Sequence, residues 1–199
     1  DWSGRNEKKW INKQLRRMGE APVILDTTLV TQSVDELKRF FINKGYMNAE
    51  VSASIDTSRS KKAVVTYRIV PNTPYRIHNY SMDLSDPKID SIAKLKPPHR
   101  SVLASAFRTY SDDYTSLIKD SALFDRDVLD KERQRLTTLL RRRGYYAFNR
   151  DYLSYIADSS LNRNIVDLDM LLKPYRLQKP DGTVVDTLHR QYYIKDVSI

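Results

Sequence analysis

"FDRDVLDKERQRLTTLLRRRGYY", residues 124–146, has the pattern of a charged amphipathic helix that ends abruptly at a Gly-Tyr pair. Leu129, Leu136 and Leu140 recur at helical spacing and form its apolar stripe. An earlier stretch, "SVDELKRFFINKGYM" at residues 33–47, has the same layout and also ends in Gly-Tyr. The two stretches predict a repeat protein, so that function has to be argued for the repeated unit.

Residues that favour helix ends flank both stretches. Asp127 is the predicted N-cap of the later helix, and Ser33 with Glu36 forms a capping box that predicts the start of the earlier one. Gly45 and Gly144 each follow basic residues, and glycine there is typical of the left-handed residue that ends a helix. Both helices are therefore predicted to end at the Gly-Tyr pair.

The segments after the two Gly-Tyr pairs also match. "YMNAEVSASID" and "AVVTYRIV" alternate like strands on either side of a polar turn, and so do "YYAFNRDYLSYIAD" and "IVDLDMLL". A further strand-like segment follows each hairpin, "PYRIHNYSM" and then "QYYIKDVSI", and these align with Tyr75 on Tyr192. Each unit is thus predicted to run helix, Gly-Tyr, strand, turn, strand.

The second unit is predicted to have the order β-α-α-β-β. Its first strand covers residues 75–84, residues 85–107 form an irregular connection around Pro97-Pro98, and "DDYTSLIKDSALF" at 112–124 forms a short first helix. The hairpin closes the unit, and "QKPDGTVVDTLH" at 178–189 is a tail loop with a Pro-Asp-Gly turn.

In the first unit, "NEKKWINKQLRRMGEAP" supplies the first helix, and its first strand is expected to precede Asp1. The predicted domains are residues 1–73, which lack that strand, residues 74–190, and residues 191–199 as the first strand of a following domain. Both ends look cut, so we expect an internal fragment of a longer chain.

The composition excludes some classes of site. Cysteine is absent, so the chain forms no disulfide and has no cysteine nucleophile. The three histidines lie far apart in the sequence and form no HExxH motif, and the sequence has no glycine-rich phosphate loop. Neither a metal nor another cofactor is therefore expected. These absences favour a protein that is not an enzyme.

A formal net charge of +9 leaves the partner open. The charge fits a nucleic acid or an anionic membrane, and it also fits a solvated basic surface. Acidic residues are mixed with basic ones along most of the chain, and Arg141, Arg142 and Arg143 lie where cations offset a helix dipole. No basic stripe accompanies the tyrosines, so nucleic acid is not expected as the partner.

The β-α-α-β-β order, the "FDRDVLDKERQRLTTLLRRRGYY" and "NKGYMNAEV" segments and the strand "YRIHNYSM" together resemble the POTRA domains of the BamA/TamA-like outer-membrane assembly family. "GEAPVILD" with "NKGYMNAEV", and the strand "GYYAFNRDYL", are most similar to the Bacteroidetes TamL branch. The resemblance implies an α+β fold of tandem POTRA domains, each a small three-stranded mixed sheet covered by two helices.

The resemblance also implies a role. Such domains form a scaffold on the periplasmic side of the bacterial outer membrane, and a C-terminal membrane barrel would follow in the full chain. They dock unfolded outer-membrane or surface-exported proteins, together with accessory periplasmic proteins, for assembly or translocation.

Strand addition is the expected binding mode, because the strand after Gly-Tyr lies at a sheet edge in this family and exposes unpaired backbone groups. The candidate edge residues are Ala49, Glu50, Val51, Ser52, Ala53, Ser54 and Ile55 in the first unit, and Phe148, Asn149, Arg150, Asp151, Tyr152 and Leu153 in the second, where the predicted strand continues to Ile156. Two other hypotheses stay open, a basic nucleic-acid-binding module and an enzyme whose site spans the two units.

Overall fold

The computed structural model describes residues 24–58, 62–95, 114–160 and 163–197, which fall into two compact units. Among the described residues, the first unit holds those up to Glu36 together with Val51–Arg68, and the second holds Leu37–Glu50 and the residues from Ile69 onward. The predicted helix at residues 6–22 lies outside the described residues. The predicted domain boundaries after residues 73 and 190 stay predictions.

The first part of the chain forms a helix and a hairpin. Helix α1 is Thr27–Asn43, strand β1 is Glu50–Asp56 and strand β2 is Val64–Val70, and β1 pairs with β2. The capping-box prediction was wrong about where α1 begins, because the helix begins at Thr27, six residues before Ser33. Asp26 accepts the Thr28 N–H at 2.8 Å there, and Ser33 lies inside the helix, where its hydroxyl donates to the Leu29 carbonyl.

The remaining elements confirm the predicted β-α-α-β-β order in the second unit. They are β3 Arg76–Asp83, α2 Pro87–Ala93, α3 Arg126–Arg142, β4 Leu153–Asp158 and β5 Ile165–Leu172, followed by β6 Tyr175–Gln178 and β7 Val184–Thr187. The sheet has the order β3-β5-β4, with β5 parallel to β3 and antiparallel to β4. The fold class is therefore α+β, with a small three-stranded mixed sheet.

The two helices of this unit pack on one face of the sheet. On β5 the residues Val166, Leu168, Met170 and Leu172 alternate inward and are buried, with exposures of 0–7%. They pack with the apolar side of α3, including Leu136. Because strand side chains alternate between faces, the other residues of the sheet lie on the face opposite the helices.

The short first helix is α2, so the prediction of a helix at residues 112–124 was wrong for the described part, residues 114–124. Asp86 caps α2 by accepting the Lys88 and Ile89 N–H groups, and Pro87 sits at the first turn, where its missing N–H costs nothing. Ile89 is fully buried and anchors the helix. The irregular connection predicted over residues 85–107 therefore begins with a helix.

Three further corrections concern element ends. The N-cap of α3 is Asp125, which accepts the Asp127 N–H, and Asp127 lies in the first turn. The strand after Gly144 begins at Leu153, five residues later than predicted. The predicted tail loop contains the hairpin β6–β7 around Gly182, whose φ of +82° fits the predicted turn.

Both Gly-Tyr predictions are confirmed in backbone conformation. Gly45 has φ +94° and Gly144 has φ +92°, and each follows its helix. After Gly45, the Tyr46 N–H donates to the Phe41 carbonyl, and after Gly144 the Tyr145 N–H donates to the Leu140 carbonyl. These are the bonds that close a helix with a left-handed residue.

Candidate functional site

Strand β4 has one partner, β5, among the residues that the structure describes, so its other side is an open edge. Lys173 donates its N–H to the Tyr152 carbonyl at 2.7 Å just before β4 begins. In an antiparallel ladder, hydrogen-bonded and non-hydrogen-bonded pairs alternate, so this bond fixes the phase. Ser154, Ile156 and Asp158 then direct their backbone groups at β5.

Tyr155 and Ala157 consequently direct both N–H and C=O outward, along the open edge. The Leu153 N–H is also on that side, but it donates to the Arg150 carbonyl. The edge therefore presents two donors, the Tyr155 and Ala157 N–H groups, in register with two carbonyls. That spacing is what an added strand requires.

The segment before β4 is fixed to α3. Arg141 Nε donates to the Phe148 carbonyl at 2.7 Å, and Arg133 Nη2 donates to the Arg150 carbonyl at 2.9 Å. Phe148 is 2% exposed, and Asn149 caps a 3₁₀ turn formed by Arg150–Tyr152. Of the candidate residues in this unit, only Leu153 lies on the ladder, and the ladder continues through the described residues to Asp158.

The opposite edge of the sheet is partly covered. Residues 121–124 run along β3, where the Ser121 N–H donates to the Ile77 carbonyl, and the Ile77 N–H donates to the Ala122 carbonyl. The Phe124 N–H likewise donates to the Tyr75 carbonyl at 3.0 Å. These bonds occupy the outward groups at the start of β3, which leaves β4 as the more accessible edge.

The sheet face opposite the helices is open and acidic. Three rows of side chains cross it, Asn79–Asp167–Asp158, Ser81–Asp169–Ile156 and Asp83–Leu171–Ser154. His78, which lies at a β-bulge, contacts Asp167 at 2.8 Å, and the Ser81 hydroxyl donates to Asp169. This face contrasts with the net positive charge of the whole chain.

The helix-side face under the edge is held by buried polar groups. The Tyr155 hydroxyl donates to the Leu129 carbonyl at 3.0 Å, which ties β4 to α3. Burial raises the pKa of the Tyr80 and Tyr155 phenols. The nearby Glu132 charge adds a smaller effect in the same direction at both. Both phenols therefore remain protonated near neutral pH and act as hydrogen-bond donors.

An ion pair lies in the interior of the unit. Arg135 donates two hydrogen bonds to Glu132, at 2.6 and 2.8 Å, and the two side chains are 7% and 0% exposed. Glu132 also accepts the Leu117 N–H at 3.0 Å. The pair therefore fixes the segment that leads to residues 121–124 beside β3.

The candidate edge residues that follow Gly45 have a simpler arrangement. Glu50, Val51, Ser52, Ala53, Ser54 and Ile55 lie on β1. Ala49 precedes the strand, is 2% exposed and donates its N–H to the Tyr46 carbonyl. β2 is the one strand that pairs with β1 in the described part of the chain.

The two helix-ending glycines make the same contact with the strand-like segment that follows. The Gly45 carbonyl accepts the Tyr75 N–H at 2.8 Å, and the Gly144 carbonyl accepts the Tyr192 N–H at 2.7 Å. The alignment of Tyr75 with Tyr192 in sequence thus corresponds to an equivalent hydrogen bond. Residues 191–197 have no regular structure, and their assignment as a first strand stays a prediction.

Lys44 is an ion-pair partner that the sequence pattern did not indicate. Its ammonium donates to Asp125 at 2.9 Å and to Asp127 at 2.8 Å, across 81 and 83 residues of sequence. The hydrogen bonds to Asp127 and Asp125 raise the pKa of Lys44. Such a long-range pair leaves no local sequence signal.

Among the described residues, no group of three or more His, Asp or Glu side chains is placed to hold a metal ion. No helix in this part of the chain is long and apolar enough to cross a membrane.

Sequence comparison assigns a family to one third of the chain. Residues 9–72 match the POTRA family. The description of that family is "Surface antigen variable number repeat". The POTRA match covers α1, β1 and β2 and leaves β3 to β7 outside it. No curated protein matches the sequence.

Solved structures of POTRA-containing proteins are similar to the chain at low identity. BamA from Haemophilus ducreyi lacking POTRA domains 1–3 aligns with 85% of this chain at 10% identity and TM-score 0.41, and this chain covers 28% of it. Haemophilus influenzae BamA POTRA3–5 aligns with 85% at 11% identity and TM-score 0.41, and 63% of it is covered. POTRA1–3 of Omp85 from Anabaena aligns with 81% at 18% identity and TM-score 0.33, with 56% covered. The chain thus spans less than two thirds of each of these structures.

Proposed function

We propose that this chain is a POTRA scaffold on the periplasmic side of an outer membrane, where it docks extended segments of unfolded client proteins by strand addition. The clients are outer-membrane or surface-exported proteins, and the scaffold is not an enzyme. Accessory periplasmic proteins, a membrane barrel linked to the C-terminal side and membership of the TamL branch belong to the same proposal. The POTRA match of residues 9–72 supports it.

The open edge of β4 is the observation that carries the proposal. Tyr155 and Ala157 present paired backbone donors and acceptors outward, while residues 121–124 occupy the start of the β3 edge. Backbone pairing is indifferent to most side chains, which suits a scaffold that receives many unfolded clients. β1 is the corresponding proposed edge in the first unit.

Proline at Ala157 tests the proposal directly. Ala157→Pro removes an N–H that faces away from β5, so the ladder and the fold are expected to survive, whereas an added strand loses a hydrogen bond and meets the proline ring. Ala157→Val is the matched control, because it adds a similar apolar volume and keeps the N–H. We expect binding of labelled peptides from unfolded barrel strands to weaken about tenfold in the proline variant.

The outcome is decided by comparing the two variants after circular dichroism confirms that both are folded. Equal peptide affinity for Ala157→Pro and Ala157→Val would show that β4 does not receive the client. Ser52→Pro and Ala53→Pro then test β1, and the pair covers both possible phases of that strand. No effect at either strand would overturn strand addition.

The nucleic-acid alternative gains no support from the basic run before Gly144. Arg141 donates to the Phe148 carbonyl, and Arg143 donates to the Tyr114 hydroxyl at 3.0 Å. These side chains have structural roles at the end of α3.

A further inference from the structure

The charge pattern beside the β4 edge indicates which segments the edge accepts. A strand added to β4 would pair with the outward backbone groups of Tyr155 and Ala157. Its residues beside Ser154, Ile156 and Asp158 would then send their side chains onto the open sheet face. That face, rather than the helix-covered one, would set side-chain preference.

Two carboxylates oppose each other directly in the row nearest the end of β4. Asp158 pairs with Asp167 across the β4–β5 ladder, and their side chains share the open face. Like charges in such a pair destabilise a sheet. Asp167 has His78 beside it at 2.8 Å, but no cation pairs with Asp158 among the described residues.

The hydrogen bonds that the structure gives Asp158 come from neutral groups of Ser160. Asp158 accepts the Ser160 N–H at 2.9 Å, and the backbone and side-chain hydrogen bonds of Ser160 lower its pKa. The carboxylate therefore stays ionised near neutral pH. A cation arriving with the added strand would offset its repulsion with Asp167.

The next row has a different character. Ile156 is 54% exposed, although it lies at the centre of the strand. It pairs with Asp169, whose carboxylate accepts the Ser81 hydroxyl. An apolar side chain on the added strand would cover Ile156 and remove its surface from water.

We infer that the segment bound at β4 carries a lysine or arginine beside Asp158 and an apolar residue beside Ile156, two positions apart on one face. This inference rests on the proposed strand addition and specifies its partner. The long basic side chain reaches across β4 toward Asp167, while its stem lies over the apolar neighbour. Acidic extended segments are rejected at the same place by charge repulsion.

Defined peptides test the preference. The probes are labelled peptides of about eight residues, mostly threonine, with Lys and Val two positions apart, and otherwise identical peptides with Glu or Gln in place of Lys. We expect the Lys peptide to bind roughly two- to fivefold more tightly than the Gln peptide, since exposed ion pairs are weak, and the Glu peptide to bind least well. Reversing the order of Lys and Val reports the strand direction.

Variants of the protein assign the effect to Asp158. Asp158→Asn keeps the size of the side chain and should make the Lys and Gln peptides bind equally. Asp120→Asn is the matched control, because it removes the same charge from an exposed turn outside the sheet and should leave the preference unchanged. Raising the salt concentration to about 0.5 M should reduce the preference in the parent protein.

The outcomes separate the inference from the proposed function. If Ala157→Pro weakens all peptides but Lys and Glu peptides bind the parent equally, strand addition stands and the charge preference is wrong. If the preference survives Asp158→Asn, another group causes it and the inference is wrong. If no peptide responds to Ala157→Pro, the inference is wrong, and strand addition is then decided by Ser52→Pro and Ala53→Pro on β1.

Discussion

Gly144 occupies a backbone position that other residues adopt only under strain. Its φ is +92°, and a Cβ there would lie 2.7 Å from the Tyr192 carbonyl oxygen. Gly182 has a similar φ of +82° with no atom within 4 Å of such a Cβ. The two glycines therefore separate the cost of conformation from the cost of a steric clash.

We predict that Gly144→Ala destabilises the chain more than Gly182→Ala does. The conformational cost should be about 1 kcal/mol at both sites, and the clash at Gly144 adds to it because a backbone oxygen has to move. Gly144→Val should cost at least as much. Urea unfolding of the three variants measures the difference, and equal losses for the two alanine variants would contradict the close contact with Tyr192.

Asp125 combines a helix cap with an ion pair. Partial burial of Asp125 acts in the opposite direction, but hydrogen bonds from Lys44 and from the Asp127 N–H hold the pKa of its carboxyl below the ordinary value of 3.8. A carboxyl of this kind contributes stability above its unfolded pKa and loses that contribution as pH falls through its folded pKa. The charge of Asp125 should therefore matter at neutral pH and not in acid.

Asp125→Asn isolates that charge, because asparagine is an equally good cap. We predict that the variant is less stable than the parent near neutral pH, and that the difference disappears as pH falls below 3.8 toward the lowered folded pKa. Asp125→Ala also removes the cap and should cost about 1 kcal/mol more at every pH. Urea unfolding over a pH series tests this, and a difference that persists in strong acid would mean that the ion pair with Lys44 is not its cause.

At the scale of elements, the Glu132–Arg135 pair joins α3 to the segment beside β3. We predict that Glu132→Gln lowers the free energy of unfolding by about 3 kcal/mol, because it removes the carboxylate charge that pairs with the buried Arg135. The Leu117 amide, which donates to Glu132, should also exchange its hydrogen faster. Hydrogen exchange followed by mass spectrometry reads out that segment.

The control for this prediction is the double variant Glu132→Gln/Arg135→Met. It removes the Arg135 charge together with the Glu132 charge. The loss of unfolding free energy in the double variant should therefore be smaller than the sum of the losses in the two single variants. Unchanged protection at Leu117 in Glu132→Gln would show that the segment along β3 is held by its backbone bonds to Ile77 and Tyr75 alone.

Sequence patterns predicted the order of elements because that order depends on local chemistry. Glycine after a basic helix end and alternation on either side of a polar turn both act within a few residues. Helix α2 was not predicted, because the Pro97-Pro98 pair indicated an irregular connection over residues 85–107. Asp86 and Pro87 nevertheless form a favourable helix start. A seven-residue helix gives little periodicity to detect.

The candidate edge was predicted only in outline. The five residues before Leu153 were predicted to belong to the strand, yet Asn149 starts a 3₁₀ turn and α3 holds that turn through Arg133 and Arg141. Those bonds join distant parts of the sequence, so alternation alone could not place the strand start. The phase of β4 and the cover on β3 likewise depend on tertiary hydrogen bonds.

At the scale of the whole molecule, several cations of the described residues already have carboxylate partners. Lys44 pairs with Asp125 and Asp127, and Lys94 pairs with Asp90. Arg133 and Arg150 both contact Asp130. Cations that already have carboxylate partners contribute less to phosphate binding, because the pair has to be broken first.

We therefore predict that the chain binds duplex DNA only weakly and through charge alone. Its net charge of +9 should give an affinity in the range of non-specific binding, with a dissociation constant of about 10 μM or weaker at physiological salt. Fluorescence anisotropy with a short labelled duplex, at about 50 and 200 mM NaCl, should show a steep loss of DNA binding. Peptide capture at β4 should fall far less over the same range, because backbone hydrogen bonds supply most of it. Submicromolar DNA binding at the higher salt, together with peptide binding unaffected by Ala157→Pro, would favour a nucleic-acid-binding module over the strand-addition scaffold.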